Sequence, residues 1–393
     1  MQEPLKIGYL IHTLGYSGAE KYLQLLLPEL KKFNIQSHLF IVTSYNSKEK
    51  LNYYFQQLEL NKISYTVYYR RSKFDFIKIA REISQYLRSH EIKVIHSHLF
   101  NADLIAVIIK RFFYKDLIIF STKHGYQEKE IVSVMVDKKK IRKDLYYRIS
   151  KILSRNIDYS ASVSGPLSEF YQKTRLSKEK MKVIHNGSPE IKFSKAESSI
   201  SGNPKILTVG RLVEIKGLTY LFKVIPTVIK SFNNVQFIFV GNGPMRHELE
   251  EIAAELKFSN HVKFVGFSDP SNYLATCDLM VIPSLFESFG LVYIEALSAK
   301  LPLIAFDTGG IKDIVDNGIN GILVPLKNHE MLGRAIIDLL ESPSTRKRIA
   351  EMGYKKYTEE FTVSKMALNT YDWYQSILGC QKPEITKPGS LLS

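Results

Sequence analysis

Short apolar runs alternate with longer amphipathic segments along the 393-residue chain. The first six are LKIGYLI (5–11), HLFIVT (38–43), YTVYY (65–69), KVIHSH (93–98), LIIFST (117–122) and DYSASVS (158–164). They are rich in β-branched and aromatic residues, and the stretches between them are long enough for helices. Apolar runs of strand length predict strands buried on both faces, and a parallel neighbour needs a crossover of helix length. The pattern therefore predicts βαβ units around a parallel sheet over residues 1–185.

Residues 186–204 (NGSPEIKFSKAESSISGNP) interrupt this rhythm with a polar, Ser/Gly/Pro-rich stretch that reads as a linker. The alternation then restarts over 205–360, with KILTVG (205–210), VQFIFVG (235–241), HVKFVG (261–266), LMVIPS (279–284), PLIAFD (302–307) and GILVP (321–325). A second doubly wound domain is predicted there. A helical stretch at 361–378 and a polar tail at 379–393 close the chain. Two open α/β domains bind ligands outside the carboxyl ends of their strands, and a domain boundary favours a cleft. Those strand ends are where chemistry is to be sought.

The first strand runs into HTLGYSGAEKYL, where Gly15 and Gly18 precede a helix. Small residues there let main-chain N–H groups approach a phosphate, although glycines also simply make turns. After KILTV, Arg211 and Lys216 lie in the turn before another helix; a guanidinium fork and a mobile ammonium suit a diphosphate, or are two solvated charges. Gly241 and Gly243, then Gly309 and Gly310, end further strands and would let a ligand come close. His98 and His124 follow strands of the first domain, where an imidazole can meet a substrate hydroxyl or carbonyl. His96 shares the face of His98, but no carboxylate or cysteine completes a metal ligand set. The chain has no Asp-x-Asp pair to hold a divalent metal on a diphosphate. No metal and no other cofactor is therefore expected. LFESFGLVYIEAL (285–297) sets Glu287 and Glu295 around a tight turn, which by itself reads as an acid/base pair of a hydrolase.

GRLVEIKGL, FVGNGP, the run from PSLFESFGLVYIEAL to NGINGILVP, and the N-terminal strand-GYSGAE-helix, in this order, resemble the family 4 retaining glycosyltransferases of the GT-B fold. That fold has two Rossmann-like domains facing across a cleft. The resemblance implies that Arg211 and Lys216 hold the diphosphate of a nucleotide-sugar donor, that Glu295 receives the ribose hydroxyls, and that Glu287 faces the transferred sugar. It also implies that the amides of Ser288, Phe289 and Gly290, with Gly15 from the opposite domain, complete the phosphate cradle; Leu291, Gly18, Gly241 and Gly243 are further candidates for contact with the donor. His124 matches a family histidine near the donor sugar, and His98 is a candidate for the acceptor side. The 361–378 helix would cross back to the first domain. This chain departs from the family pattern at Ser288, where glycine is frequent, and at Lys312-Asp313, where Pro-Glu is frequent.

Net charge is +15, and its distribution extends the reading. Residues 1–200 hold 34 Lys+Arg against 19 Asp+Glu, whereas residues 201–393 hold 20 of each. An anionic partner for the first half follows. Residues 127–153 mix Lys/Arg with apolar residues, as a segment on an anionic membrane would, and a glycan or polyprenyl-diphosphate-linked acceptor fits such a place. MQEPLKIGYLIHTLG has no basic lead into an apolar core, so no signal peptide is expected. Two cysteines, Cys277 and Cys380, suggest no disulfide framework. The expected location is the cytoplasm, peripheral at the inner face of the membrane. Two other readings stand beside glycosyl transfer to a cell-surface glycan. One is a nucleotide-sugar epimerase of the same plan. The other is a basic nucleic-acid-binding protein, against which no binding module is recognisable, so no nucleic-acid partner is expected.

Overall fold

The computed structural model describes residues 3–15, 17–47, 49–72, 75–177, 181–191 and 203–379. Much of the expected linker, Cys380 and the tail from 380 onward lie outside the described residues.

Among the described residues thirteen strands form two sheets. The first contains β1 (Leu5–Thr13), β2 (Ile35–Ser44), β3 (Tyr65–Arg70), β4 (Val94–His98), β5 (Ile118–Lys123), β6 (Tyr159–Ser162) and β7 (Lys182–Val183). The second contains β8 (Lys205–Val209), β9 (Gln236–Val240), β10 (Val262–Gly266), β11 (Leu279–Ile282), β12 (Leu303–Phe306) and β13 (Ile322–Val324). Their orders are β3-β2-β1-β4-β5-β6-β7 and β10-β9-β8-β11-β12-β13. Both are doubly wound with one reversal of strand order, between β1 and β4 and between β8 and β11, and ligands bind such folds at that reversal. All twelve expected strands are present. The two-residue β7 was missed, because a segment so short carries no periodicity.

By contacts the described residues form two compact units, those within 1–122, 155–161 and 363–393, and those within 123–154 and 162–362. These differ from the expected boundaries. Residues 123–154 and 162–185 fall in the second unit because Ile131, Tyr147, Val163, Leu167 and Phe170 share one core with Leu207, Ile282 and Phe289. Strand periodicity along the chain does not reveal which core a side chain joins.

In the first unit β1 is buried on both faces, with Ile7, Tyr9, Leu10 and Ile11 inaccessible. Gly8 lies in this strand because a Cβ there would sit 3.0 Å from both Leu87 and Phe40. Helix Asp75–Ser89 packs through Ile79, Ala80, Ile83 and Leu87, which recur at helical spacing. Helix Val363–Leu378 belongs to this unit and buries Met366, Ala367, Tyr371, Trp373 and Tyr374. Its Tyr374 hydroxyl lies 3.0 Å from the Tyr9 hydroxyl and 2.5 Å from His96 Nδ1. Each large apolar side chain buried in this way contributes about 1.5–3 kcal/mol.

In the second unit, helix Leu218–Ser231 and helix His329–Glu341 cover the sheet from one core formed by Phe222, Val224, Ile225, Phe237, Val281, Leu332 and Ile336. No described helix is long and apolar enough to cross a membrane.

Candidate active site

The site is built where β8 and β11 end. The chain leaves β11 through Pro283 and Ser284, turns at Leu285–Gly290 and enters helix Leu291–Ser298. Gly290 has φ +98, and a Cβ there would run into the Tyr293 ring, so only glycine makes this turn without displacing that ring. Tyr293 ties the new helix back to β11 by donating to the Ile282 carbonyl at 3.1 Å. Burial, and secondly the Glu287 charge, holds the Tyr293 phenol well above its usual pKa, so it stays a neutral donor.

Inside this turn Glu287 Oε1 accepts from Lys216 Nζ at 2.5 Å and from the Ser284 hydroxyl at 2.8 Å. The two side chains are 16% and 13% exposed, so this is a largely desolvated ion pair. Lys216 reaches it from the 3-10 turn Glu214–Lys216 after β8. Gly217 follows with φ +62, and a Cβ there would strike the Pro283 carbonyl. Leu285 N donates to the Ile215 carbonyl at 2.7 Å, which joins the two loops by main chain. Gly310 N donates to the Glu287 carbonyl at 2.7 Å, and Gly309 at φ +56 lies on the same peptide.

A second layer holds the turn. The Ser164 hydroxyl donates to the Ser288 carbonyl. His185 stacks on the buried Phe289 ring at 5.6 Å. Asp313 Oδ2 accepts from Gly165 N at 2.6 Å and faces His185 Nε2 at 3.1 Å. The carboxylate at the position where the family pattern was broken is thus a structural tie between loops. A Cβ on Gly125 would lie 3.0 Å from Ser288 Oγ, so the loop carrying His124 rests against the turn. Burial, and secondly the Lys123 charge, pushes His124 down to about 3, and its part-exposed imidazole is neutral at pH 7.

The remaining sequence candidates fall as follows. Glu295 is buried in helix Leu291–Ser298, and Leu291 begins that helix half-buried. Phe289 has its ring in the core, which leaves only its main chain for a ligand. Arg211 is 65% exposed and pairs with Glu128, a partner the sequence did not suggest. Gly241, at φ +139, and Gly243 were expected to admit a ligand. Their missing side chains admit main chain, since a Cβ would strike the Gly210 and Leu212 carbonyls respectively.

Gly15, Gly18 and His98 lie in the first unit. Gly15 N already faces Thr13 Oγ1 at 3.2 Å, and Glu20 Oε2 accepts from Ser17 N at 2.9 Å beside the helix that begins at Gly18. A carboxylate therefore occupies that helix N-terminus. His98 is wholly buried, with its ring 4.4 Å from that of His96 and 5.6 Å from that of Tyr22. As it stands His98 is inaccessible, so nothing in this structure supports an acceptor contact there. Strand-end position alone does not tell which face of a strand is covered. The metal pair is also removed, since His96 Nδ1 faces Tyr374 and Nε2 faces Thr122 Oγ1 at 2.8 Å. Sequence reasoning missed Ser284, Ser164 and His185. Ser284, three residues before Glu287, had a readable spacing; the others come from distant segments.

Two adjoining family models match the chain. Residues 190–356 match the glycosyl transferases group 1, and residues 16–189 match Glycosyltransferase Family 4. The chain belongs to the group 1 glycosyltransferases of the GT-B fold. An uncharacterized glycosyltransferase of Methanocaldococcus jannaschii is 26% identical over 92% of this chain and 95% of its own length. Another from the same organism is 29% identical, and there this chain spans only 54% of the relative's length. The N-acetylgalactosamine-N,N'-diacetylbacillosaminyl-diphospho-undecaprenol 4-alpha-N-acetylgalactosaminyltransferase of Campylobacter jejuni is 26% identical over 87% of this chain and 92% of its own. Among solved structures, Anabaena Alr3699/HepE in complex with UDP matches with a TM-score of 0.79 at 20% identity, over 95% of this chain and 100% of that one.

Proposed function

We propose that this protein transfers a sugar, with retention at the anomeric carbon, from a UDP- or GDP-sugar to a glycan or lipid-linked glycan in cell-surface polysaccharide synthesis. The observation that carries the reading is the buried Lys216–Glu287 pair at the β8/β11 reversal, held by glycine-lined main chain. A desolvated pair costs free energy to bury, and placing it where ligands bind gives that cost a purpose.

In this reading Lys216 and Arg211 stabilise the diphosphate as it leaves, and each has a carboxylate to exchange for it, Glu287 and Glu128 respectively. The amides after Glu287 face the phosphates, Glu295 takes the ribose hydroxyls, and Glu287 orders the sugar hydroxyls. The acceptor hydroxyl attacks from the face that the diphosphate leaves, its oxygen bonding to the anomeric carbon as the bond to phosphate breaks. Its proton passes to the departing phosphate oxygen. Cations and amides of the chain carry the charge in place of a divalent metal, which agrees with the lack of an Asp-x-Asp pair. UDP in the Anabaena structure and diphospho-undecaprenol in the name of the Campylobacter relative support the donor and acceptor classes.

The test is incubation with UDP-, GDP- and ADP-sugars and a lipid extract, following nucleotide release. Transfer is expected to fall at least about 100-fold in Glu287→Ala with nucleotide affinity largely kept, the size of a lost transition-state contact. Arg211→Ala and Glu295→Ala should weaken donor use itself. Full turnover by Glu287→Ala would sink the assignment, and a changed sugar nucleotide without any acceptor would make the protein an epimerase.

A further inference from the structure

The first unit holds two buried N–H groups at the carboxyl ends of its strands that the donor site does not use. His12 is the penultimate residue of β1, and Arg70 is the last residue of β3. The parallel register His12↔Val42↔Tyr68 places these three in one row, so Arg70, two residues beyond Tyr68, shares the face of His12. Asn101 enters from helix Phe100–Ile108, which follows β4, the neighbour of β1 at the reversal of strand order.

The chemistry of these atoms is incomplete. Asn101 Nδ2 lies 3.2 Å from His12 Nδ1. With the Asn101 amide oriented this way Nδ1 accepts, and the proton of the neutral ring is assigned to Nε2. Burial, and secondly the Arg70 charge, pushes this imidazole down to about 4, so the neutral ring is the form at pH 7. Yet His12 is only 7% exposed and its Nε2 has no hydrogen-bond partner. Arg70 Nε is likewise buried without a partner. The guanidinium lies 4.9 Å over the Phe76 ring, whose edge meets His12 at 6.0 Å. Among the described residues no carboxylate pairs with Arg70. An orphaned buried donor is unfavourable, and a half-buried cation without a countercharge adds to that. An aromatic ring stabilises the cation but accepts neither N–H.

What completes this set accepts hydrogen bonds, carries negative charge and arrives at the strand ends. Donor determinants cluster in the other unit, so the donor is not the natural occupant. We propose that His12 Nε2–H and the Arg70 guanidinium bind an acidic group, a phosphate or a carboxylate, of the sugar acceptor. The inference rests on the glycosyl-transfer reading and narrows it to acidic acceptors. A phosphate would belong to a lipid phosphate or a phosphorylated glycan, and a carboxylate to an acidic sugar.

Calorimetric titration of the full-length protein with octyl phosphate, octyl glucuronide and neutral octyl glucoside, with and without UDP, tests this. An anionic probe is expected to bind where octyl glucoside does not, and the preferred anion identifies the source. Arg70→Gln should weaken that binding at least about tenfold, the scale of a charge-assisted hydrogen bond, with Arg70→Lys intermediate and His12→Phe weaker than wild type. Equal affinity in wild type and Arg70→Gln, binding of the neutral probe as tight as that of the anions, or no anion binding would each overturn the proposal. Should Arg70→Gln fail to melt cooperatively, unchanged affinity in His12→Phe decides against it. UDP titrated into the wild type reads the donor assignment separately, since absence of UDP binding would sink that reading and leave the anion result standing.

Discussion

Lys216 and Glu287 show how far single residues could be read. Both were legible as charges at strand ends, but their 2.5 Å contact was not, because 71 positions separate them. Stability tests the pairing independently of turnover. Lys216→Met strands a mostly buried carboxylate with only the Ser284 hydroxyl, and about 3–5 kcal/mol of unfolding free energy should be lost. Lys216→Met/Glu287→Gln removes both charges and should regain most of it. If urea denaturation finds the single variant no less stable than the double, the two groups do not depend on one another. His98 is the opposite case. Its strand-end position was read correctly and His96 was legible as its neighbour on the same strand face, but the covering rings of Tyr9 and Tyr22 come from other segments, and local sequence gives no sign of them.

Elements were far more legible than residues. Strands buried on both faces announce themselves as apolar runs, so β1 to β6 and β8 to β13 were all found from the chain alone. The turns were recognised by their glycines, but the close main chain at Gly241 and Gly243 was not foreseen. Main-chain proximity is a property of the folded sheet, and spacing does not encode whether a ligand or a carbonyl fills the gap. Substitution separates the cases. Gly241→Ala meets the Gly210 carbonyl and a φ of +139, whereas Gly318→Ala meets open space at φ +76. Chemical denaturation should place Gly241→Ala about 3 kcal/mol below wild type and Gly318→Ala about 1 kcal/mol below. Equal losses at the two positions would show that backbone conformation alone matters there.

For the whole molecule the charge of +15 is the broadest signal, and the structure sharpens what it means. Within 127–153 Ile131, Tyr147 and Leu153 are buried, while Lys138, Lys139, Lys140, Arg142 and Lys143 are exposed, as are the apolar Leu145 and Ile152. Separately, the first unit has a concavity of about 330 Å³ lined by Lys110, Arg111, Lys115 and Arg155 together with Asp158, which pairs with Lys110. Association with a membrane surface would then combine the apolar side chains of Leu145 and Ile152 with an electrostatic attraction of about 1 kcal/mol per cation near the surface, which weakens when salt shortens the screening length. Co-sedimentation with anionic liposomes at low salt, reversed at about 1 M salt where screening acts within about 3 Å, is the expected result. Protein left in the supernatant at low salt would refute the surface. The glycine contacts around Glu287 also decide where this enzyme is free to evolve. Gly217, Gly241, Gly309 and Gly310 each touch another main chain, so variation there is closed. Ser288 and Leu291 are half-buried at the same turn, and a lineage drifting toward a new donor has those two side chains to change while the frame beneath them stays fixed.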